Sequence, residues 1–131
     1  MSISANKELV LRYMRHVEQG QLEEALALAV DDARFWHPLS GDSDKAAVRA
    51  AYGRVAPLLK SFRSDIRNVI AEEDRVAVEA EVDMDLSNGK HYHNYYSFFF
   101  VVRDGKIRNS REYVDSKAFE AAFTATGDEH A

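Results

Sequence analysis

The strict alternation of residues 75–86, "RVAVEAEVDMDL", narrows most what this chain can fold into. Successive side chains of a strand point to opposite faces, so Val76, Val78, Ala80, Val82 and Met84 fall on one side and Glu79, Glu81, Asp83 and Asp85 on the other. The stretch that follows, "KHYHNYYSFFFVV", is bulky on both sides: Tyr96, Phe98 and Phe100 against Tyr95 and Phe99. A sheet apolar on both faces must be covered on both. Helices supply one cover, and a second protomer on the outer face is the simplest other, so a homodimer is predicted.

The period of two begins at Ser61. "SFRSDIRNVIAEED", "RVAVEAEVDMDL", "KHYHNYYSFFFVV" and "KIRNSREYVD" read as four antiparallel strands joined at "EED", "SNG" and "RDG". Before them the period is helical. "NKELVLRYMRHVEQG" sets Leu9, Val10, Tyr13, Met14 and Val17 on one face, with Gly20 as its stop, and "QLEEALALAVDD" continues the pattern with Leu22, Ala25, Leu26 and Ala29. "ARFWHPL" is a short extended piece, since His37 precedes a proline. Ser43 or Asp44 then caps a third helix, Lys45 to about Val55, with Val48, Ala51, Tyr52 and Val55 on its buried face. A last helix, "SKAFEAAF", precedes a polar tail, "TGDEHA", expected to be mobile. The whole is an α+β fold in a single domain spanning 1–131.

Composition removes several classes of function. A net charge of -5 argues against a nucleic-acid partner, and the absence of cysteine excludes disulfides, thiolate metal sites and a cysteine nucleophile. No apolar stretch approaches membrane-spanning length and the start carries no secretion signal, so the expected address is the cytoplasm and no membrane partner is expected. No glycine-rich phosphate loop is visible, and no cofactor is expected. His91 and His93 share a strand face, but without a third well-spaced ligand no metal site is assigned.

Register decides what the aromatic strand faces. If Asn88-Gly89 is a two-residue turn, Glu81 sits beside Tyr96, Asp83 beside Asn94 and Val82 beside Tyr95. In the next hairpin a two-residue "DG" turn puts Glu112 with Ser97 and Tyr95. A three-residue "RDG" turn puts it with Tyr96 and Glu81. The second is favoured because it gathers Glu81, Asn94, Tyr96 and Glu112 on one wall.

This layout, with Tyr92-x-Asn94-x-Tyr96, then Asp104-Gly105-Lys106-Ile107, then Arg111-Glu112-Tyr113-x-Asp115, resembles the SnoaL-like group of ketosteroid isomerase-related proteins. The resemblance spans nearly the whole chain. It implies the cone-shaped fold of nuclear transport factor 2, in which helices and a curved antiparallel sheet enclose a pocket for a hydrophobic small molecule. It also implies roles. Tyr13 stands at the position similar to the isomerases' first-helix tyrosine, which helps stabilise an enolate oxygen, and His37 stands before Pro38 where those enzymes carry their general-base aspartate. Glu81 and Glu112 look like the two acid positions of limonene epoxide hydrolases, with Glu79 where those carry arginine.

Two classes of function follow. The first is an acid/base enzyme of isomerase, cyclase or hydrolase type, with His37 as base and Tyr13 or the Glu81/Glu112 pair as proton donor, acting on an apolar carbonyl, polyketide-like or epoxide-like compound. The second is a binding module for a hydrophobic small molecule, in which the same groups only orient the ligand. In either, Trp36, Asn94, Tyr96 and Phe98 are expected to bind it. Each residue also has a plainer role available: Tyr13 as a core tyrosine, His37 as a cavity liner, Asn94 as a structural crosslink.

Overall fold

The computed structural model describes residues 3–123; the tail expected to be mobile lies outside them. The elements run α1 (Ile3–Glu18), α2 (Leu22–Leu26), β1 (Ala29–His37), β2 (Gly41–Ser43), α3 (Lys45–Val55), a 3-10 turn (Ala56–Leu58), β3 (Leu59–Glu72), β4 (Arg75–Leu86), β5 (His91–Arg103), β6 (Lys106–Val114) and α4 (Ser116–Phe123). The strands form one curved, unclosed sheet in the order β2-β1-β6-β5-β4-β3, and the helices pack on its inner face. The architecture is α+β, as the alternation and the resemblance imply.

The inner face is the core. Val76, Val78, Ala80, Val82, Met84 and Leu86 of β4 meet Tyr92, Tyr96, Phe100 and Val102 of β5, all buried. Leu9, Val10 and Met14 of α1 close over them, and Tyr13 lays its ring edge-on to Phe100 at 5.8 Å. The acids of β4 point to the opposite side, so the alternation sorts the faces as expected.

Three local expectations are corrected. The pattern "ALALAV" does not continue α2: the helix ends at Leu26, and Ala29 begins a nine-residue strand. That strand lies parallel to β6, with Ala29 paired to Ile107, so the sheet is not wholly antiparallel. Tertiary hydrogen bonds override local helix preference here. The Ile107 amide donates to the Leu28 carbonyl at 2.9 Å, and the Lys106 ammonium donates to that of Ala27 at 2.8 Å. Finally, Asp44 caps α3 through the Ala47 amide, but α3 has no fully buried residue; Val48, Tyr52 and Val55 are only half-covered and Ala51 is exposed. It packs against β1 and β2 at the end of the sheet rather than over its centre.

Candidate functional site

Two turns and one bulge decide which side chains face the interior. The β4–β5 connection is a three-residue loop, Ser87 to Gly89, with the Gly89 amide donating to the Leu86 carbonyl at 3.0 Å and Gly89 at φ +88°. Its register therefore differs by one from that of a two-residue turn: Val82 pairs with Asn94 and Glu81 with Tyr95. In the next hairpin Asp104 and Gly105 both have positive φ, at 54° and 76°, which makes the two-residue turn suited to the twist of the strands. That turn alone would send Glu112 outward. A bulge beside Val101 and Val102 adds one residue to β6 and turns it back in, opposite Phe98.

Glu112 and His37 meet inside the cone. Trp36 pairs with Arg111 and shares its outer face, so the next residue, His37, points inward from the end of β1. Its Nε2 stands 3.6 Å from Glu112 Oε2, and its ring lies 4.8 Å from that of Phe119 on α4. The Leu39 amide donates to Nδ1 at 3.2 Å. An amide can only donate, so neutral His37 carries its proton on Nε2. That Nε2–H is buried and has no hydrogen-bond partner among the described residues, a situation costing about 1–3 kcal/mol.

Burial acts on both groups in the direction of neutrality. It raises the Glu112 carboxyl from 4.5 to about 7 and lowers the His37 imidazole below its usual 6.5. The neutral pair and the ion pair hold the same number of protons, differing only in where one sits. Glu112 keeps 31% of its side-chain accessibility, so it is surrounded by protein yet touches open space.

Three tyrosine hydroxyls feel the charge of this carboxyl, those of Tyr13, Tyr92 and Tyr96. Desolvation, reinforced by Glu112, pushes the Tyr13 and Tyr96 hydroxyls well above the ordinary tyrosine value, so both remain proton donors at neutral pH. Tyr96 is fixed from behind: its hydroxyl bonds that of Tyr92 at 2.7 Å, which accepts from Asn94 Nδ2 at 2.7 Å. Asn94 donates also to the Asp115 carbonyl at 3.0 Å, and its Oδ1 accepts from the Tyr95 amide at 2.8 Å and the Asp115 amide at 3.3 Å. Both its N–H groups and its oxygen are thereby engaged. Asn94 crosslinks β5 to the start of α4 and holds the tyrosine pair. Phe98 lies half-buried, stacked between Tyr96 at 5.5 Å and Phe100 at 6.0 Å.

Glu81 and Trp36 are on the other side of the sheet. The expectation that Glu81 shares a wall with Glu112 is corrected by the β4–β5 register. Glu81 binds Arg67 and His93 outside, and these contacts lower its carboxyl, His93 contributing most. Trp36 stacks under Arg111, whose guanidinium lies 4.2 Å from the ring centroid, and beside Tyr113 at 5.3 Å. The structure thus brings together Tyr13, His37, Glu112, Tyr96 and Phe98, and excludes Glu81 and Trp36. Sequence reasoning missed Tyr92, which holds Tyr96, and Phe119, which packs on His37. The four-residue spacing of Phe119 and Phe123 in "FEAAF" was the available signal for an aromatic helix face turned inward.

Residues 10–110 match the SnoaL-like domain family. No curated protein matches the chain. Among solved structures, an NTF2-like protein of unknown function from Burkholderia pseudomallei K96243 is 19% identical, with a TM-score of 0.82 over 95% of this chain and 99% of its own. A SnoaL-like protein from Jannaschia sp. CCS1, whose name proposes a polyketide cyclase, is 18% identical with a TM-score of 0.80 over 95% and 96%. TerC, co-crystallised with polyporic acid, is 22% identical with a TM-score of 0.79 over 89% and 96%. These likenesses concern the fold.

Proposed function

Because the chain belongs to the SnoaL-like family, we propose that the interior of its cone receives a hydrophobic, carbonyl-bearing small molecule of polyketide type, and that Glu112 and His37 move a proton on it. As a carboxylate, Glu112 takes a proton from a carbon next to the carbonyl. The electron pair moves onto the carbonyl oxygen, where the His37 Nε2–H and the Tyr13 and Tyr96 hydroxyls are available to donate. The resulting enolate is then reprotonated at carbon or attacks a second carbonyl of the same molecule, closing a ring.

The observation that carries this reading is the unpartnered His37 Nε2–H, 3.6 Å from a carboxyl whose burial brings it to about 7. A base poised near neutrality and a donor with no internal partner are what a proton-transfer site requires. The Leu39 bond on Nδ1 supports giving His37 the donor role and Glu112 the acceptor role, in place of the base role expected of His37 from the sequence. Two named neighbours support the substrate class, the Jannaschia protein by its polyketide-cyclase name and TerC by its polyporic acid.

The test is hydrogen–deuterium exchange, followed by NMR, at the carbon beside the carbonyl of a polycyclic aromatic ketone in heavy water. The wild-type chain should catalyse exchange, and Glu112→Gln should slow it at least about a hundredfold, the scale of a lost general base. The alternative is a binding module. It predicts binding by calorimetry with no exchange in either protein.

A further inference from the structure

The outer face of the sheet carries a second cluster of chemistry-bearing side chains that the interior site does not use. Asp83 of β4 and His93 of β5 are directly paired across the strands, and Glu81 is Asp83's same-face neighbour two residues along β4. One ligand-capable atom from each of Glu81, Asp83 and His93 lies within 4.8 Å of the other two. The geometry points to a divalent-cation site here, formed by the Glu81 and Asp83 carboxylates and the His93 imidazole, and suited to zinc or a neighbouring first-row transition ion.

Three features distinguish the cluster from a solvated acidic strip. The first is the donor set. One imidazole with two carboxylates matches zinc, cobalt and nickel, whereas calcium asks for six to eight oxygens and magnesium for an octahedron of them. The second is orientation from outside. Arg67 holds Glu81 Oε1 and leaves Oε2 toward His93 Nε2 at 2.5 Å, and His91 Nε2 holds Asp83 Oδ1 at 3.0 Å. Such outer partners fix ligand rotamers in metal sites. The third is the scaffold: all three ligands stand on adjacent strands in the interior of the sheet, where backbone register fixes them. A cation holding its ligands at about 2.0–2.2 Å needs them roughly 3–4 Å apart, within reach of small side-chain rotations.

Three protein ligands leave coordination positions open, and Glu81 also borders a shallow depression with Arg67, Asn68, Glu79, Ala80 and Tyr95. Coordination uses the His93 Nε2 lone pair and replaces its contact with Glu81 Oε2. The charged and titratable groups around that step are Arg63, Asp65 and Arg67 from β3, Asp85 from β4, and His91 and Tyr95 from β5.

The experiment is titration of the untagged protein with zinc by calorimetry, and with cobalt by its visible absorption, at neutral pH. One equivalent should bind. His93→Gln and Asp83→Asn should each weaken binding at least about tenfold, while His37→Gln leaves it unchanged. In the single chain Asp83 is half-buried and His93 exposed, and thermal unfolding followed by circular dichroism verifies that each variant is folded. No binding at about 1 mM zinc, a concentration that even weak sites bind, or undiminished binding in either outer variant, overturns the proposal.

Discussion

Glu112 of β6 stands directly across from Phe98 of β5, and it does so only because of the bulge near the Asp104–Gly105 turn. One residue less in β6 would place this carboxyl on the outer face, with Ser97. The interior acid is thus a product of local irregularity, and its burial has measurable consequences.

Stability should report the buried carboxyl. The folded-state value of Glu112 is raised from 4.5 to about 7, so the folded chain binds the extra proton and stability falls as pH rises through that window. The effect is fully present below about 4.5 and its benefit is lost above about 7. At about 1.4 kcal/mol per pH unit, the cost at pH 8 is capped at roughly 3 kcal/mol. Glu112→Gln should therefore match the wild type at about pH 4 and exceed it at about pH 8, as measured by urea unfolding at both. Equal stabilities at pH 8 would show that Glu112 is solvated.

The pH dependence of proton transfer separates the two candidate bases. If Glu112 accepts the proton, exchange activity rises with pH through about 7, since only the carboxylate form is competent. If His37 accepts it, the rise is centred below 6.5, because burial lowers that imidazole. His37→Gln should keep the midpoint near 7 while lowering the plateau. A midpoint below 6.5 that disappears in His37→Gln would return the base role to His37.

Asn94 is expected to matter for stability more than for chemistry. Its amide engages Tyr92 and the backbone of Tyr95 and Asp115, and truncation to alanine leaves these buried partners unsatisfied. Asn94→Ala should cost about 2–4 kcal/mol on denaturant unfolding, the combined scale of several buried hydrogen bonds. A loss under about 0.5 kcal/mol, the level of an ordinary surface substitution, would mean that solvent replaces those bonds.

The outer face predicts self-association. Tyr95 at 66%, Phe99 at 37% and Tyr113 at 43% exposure form a band of large rings, with Trp36 beside them. Sedimentation should give twice the 14.8 kDa chain mass at micromolar concentration, and Phe99→Glu should return the chain to that mass. A wild-type protein that sediments at the chain mass would leave the band without a partner chain.

What the sequence determined is what a short window contains. The β4 boundaries, the separation of its valines from its acids, the face of α1 and the position of α4 all follow from side-chain period and turn residues, which are properties of adjacent positions. What the tertiary structure decided is the relation between windows. "ALALAV" became partly strand because β6 offered it hydrogen bonds, Trp36 faced outward and His37 inward because β1 lies parallel to β6, and Glu81 and Glu112 parted because one loop has three residues and one strand has a bulge. A one-residue change of register moves every side chain of a strand to the other face. The site residues could therefore be named from the sequence, but only the register could bring Glu112 to His37 and take Glu81 away.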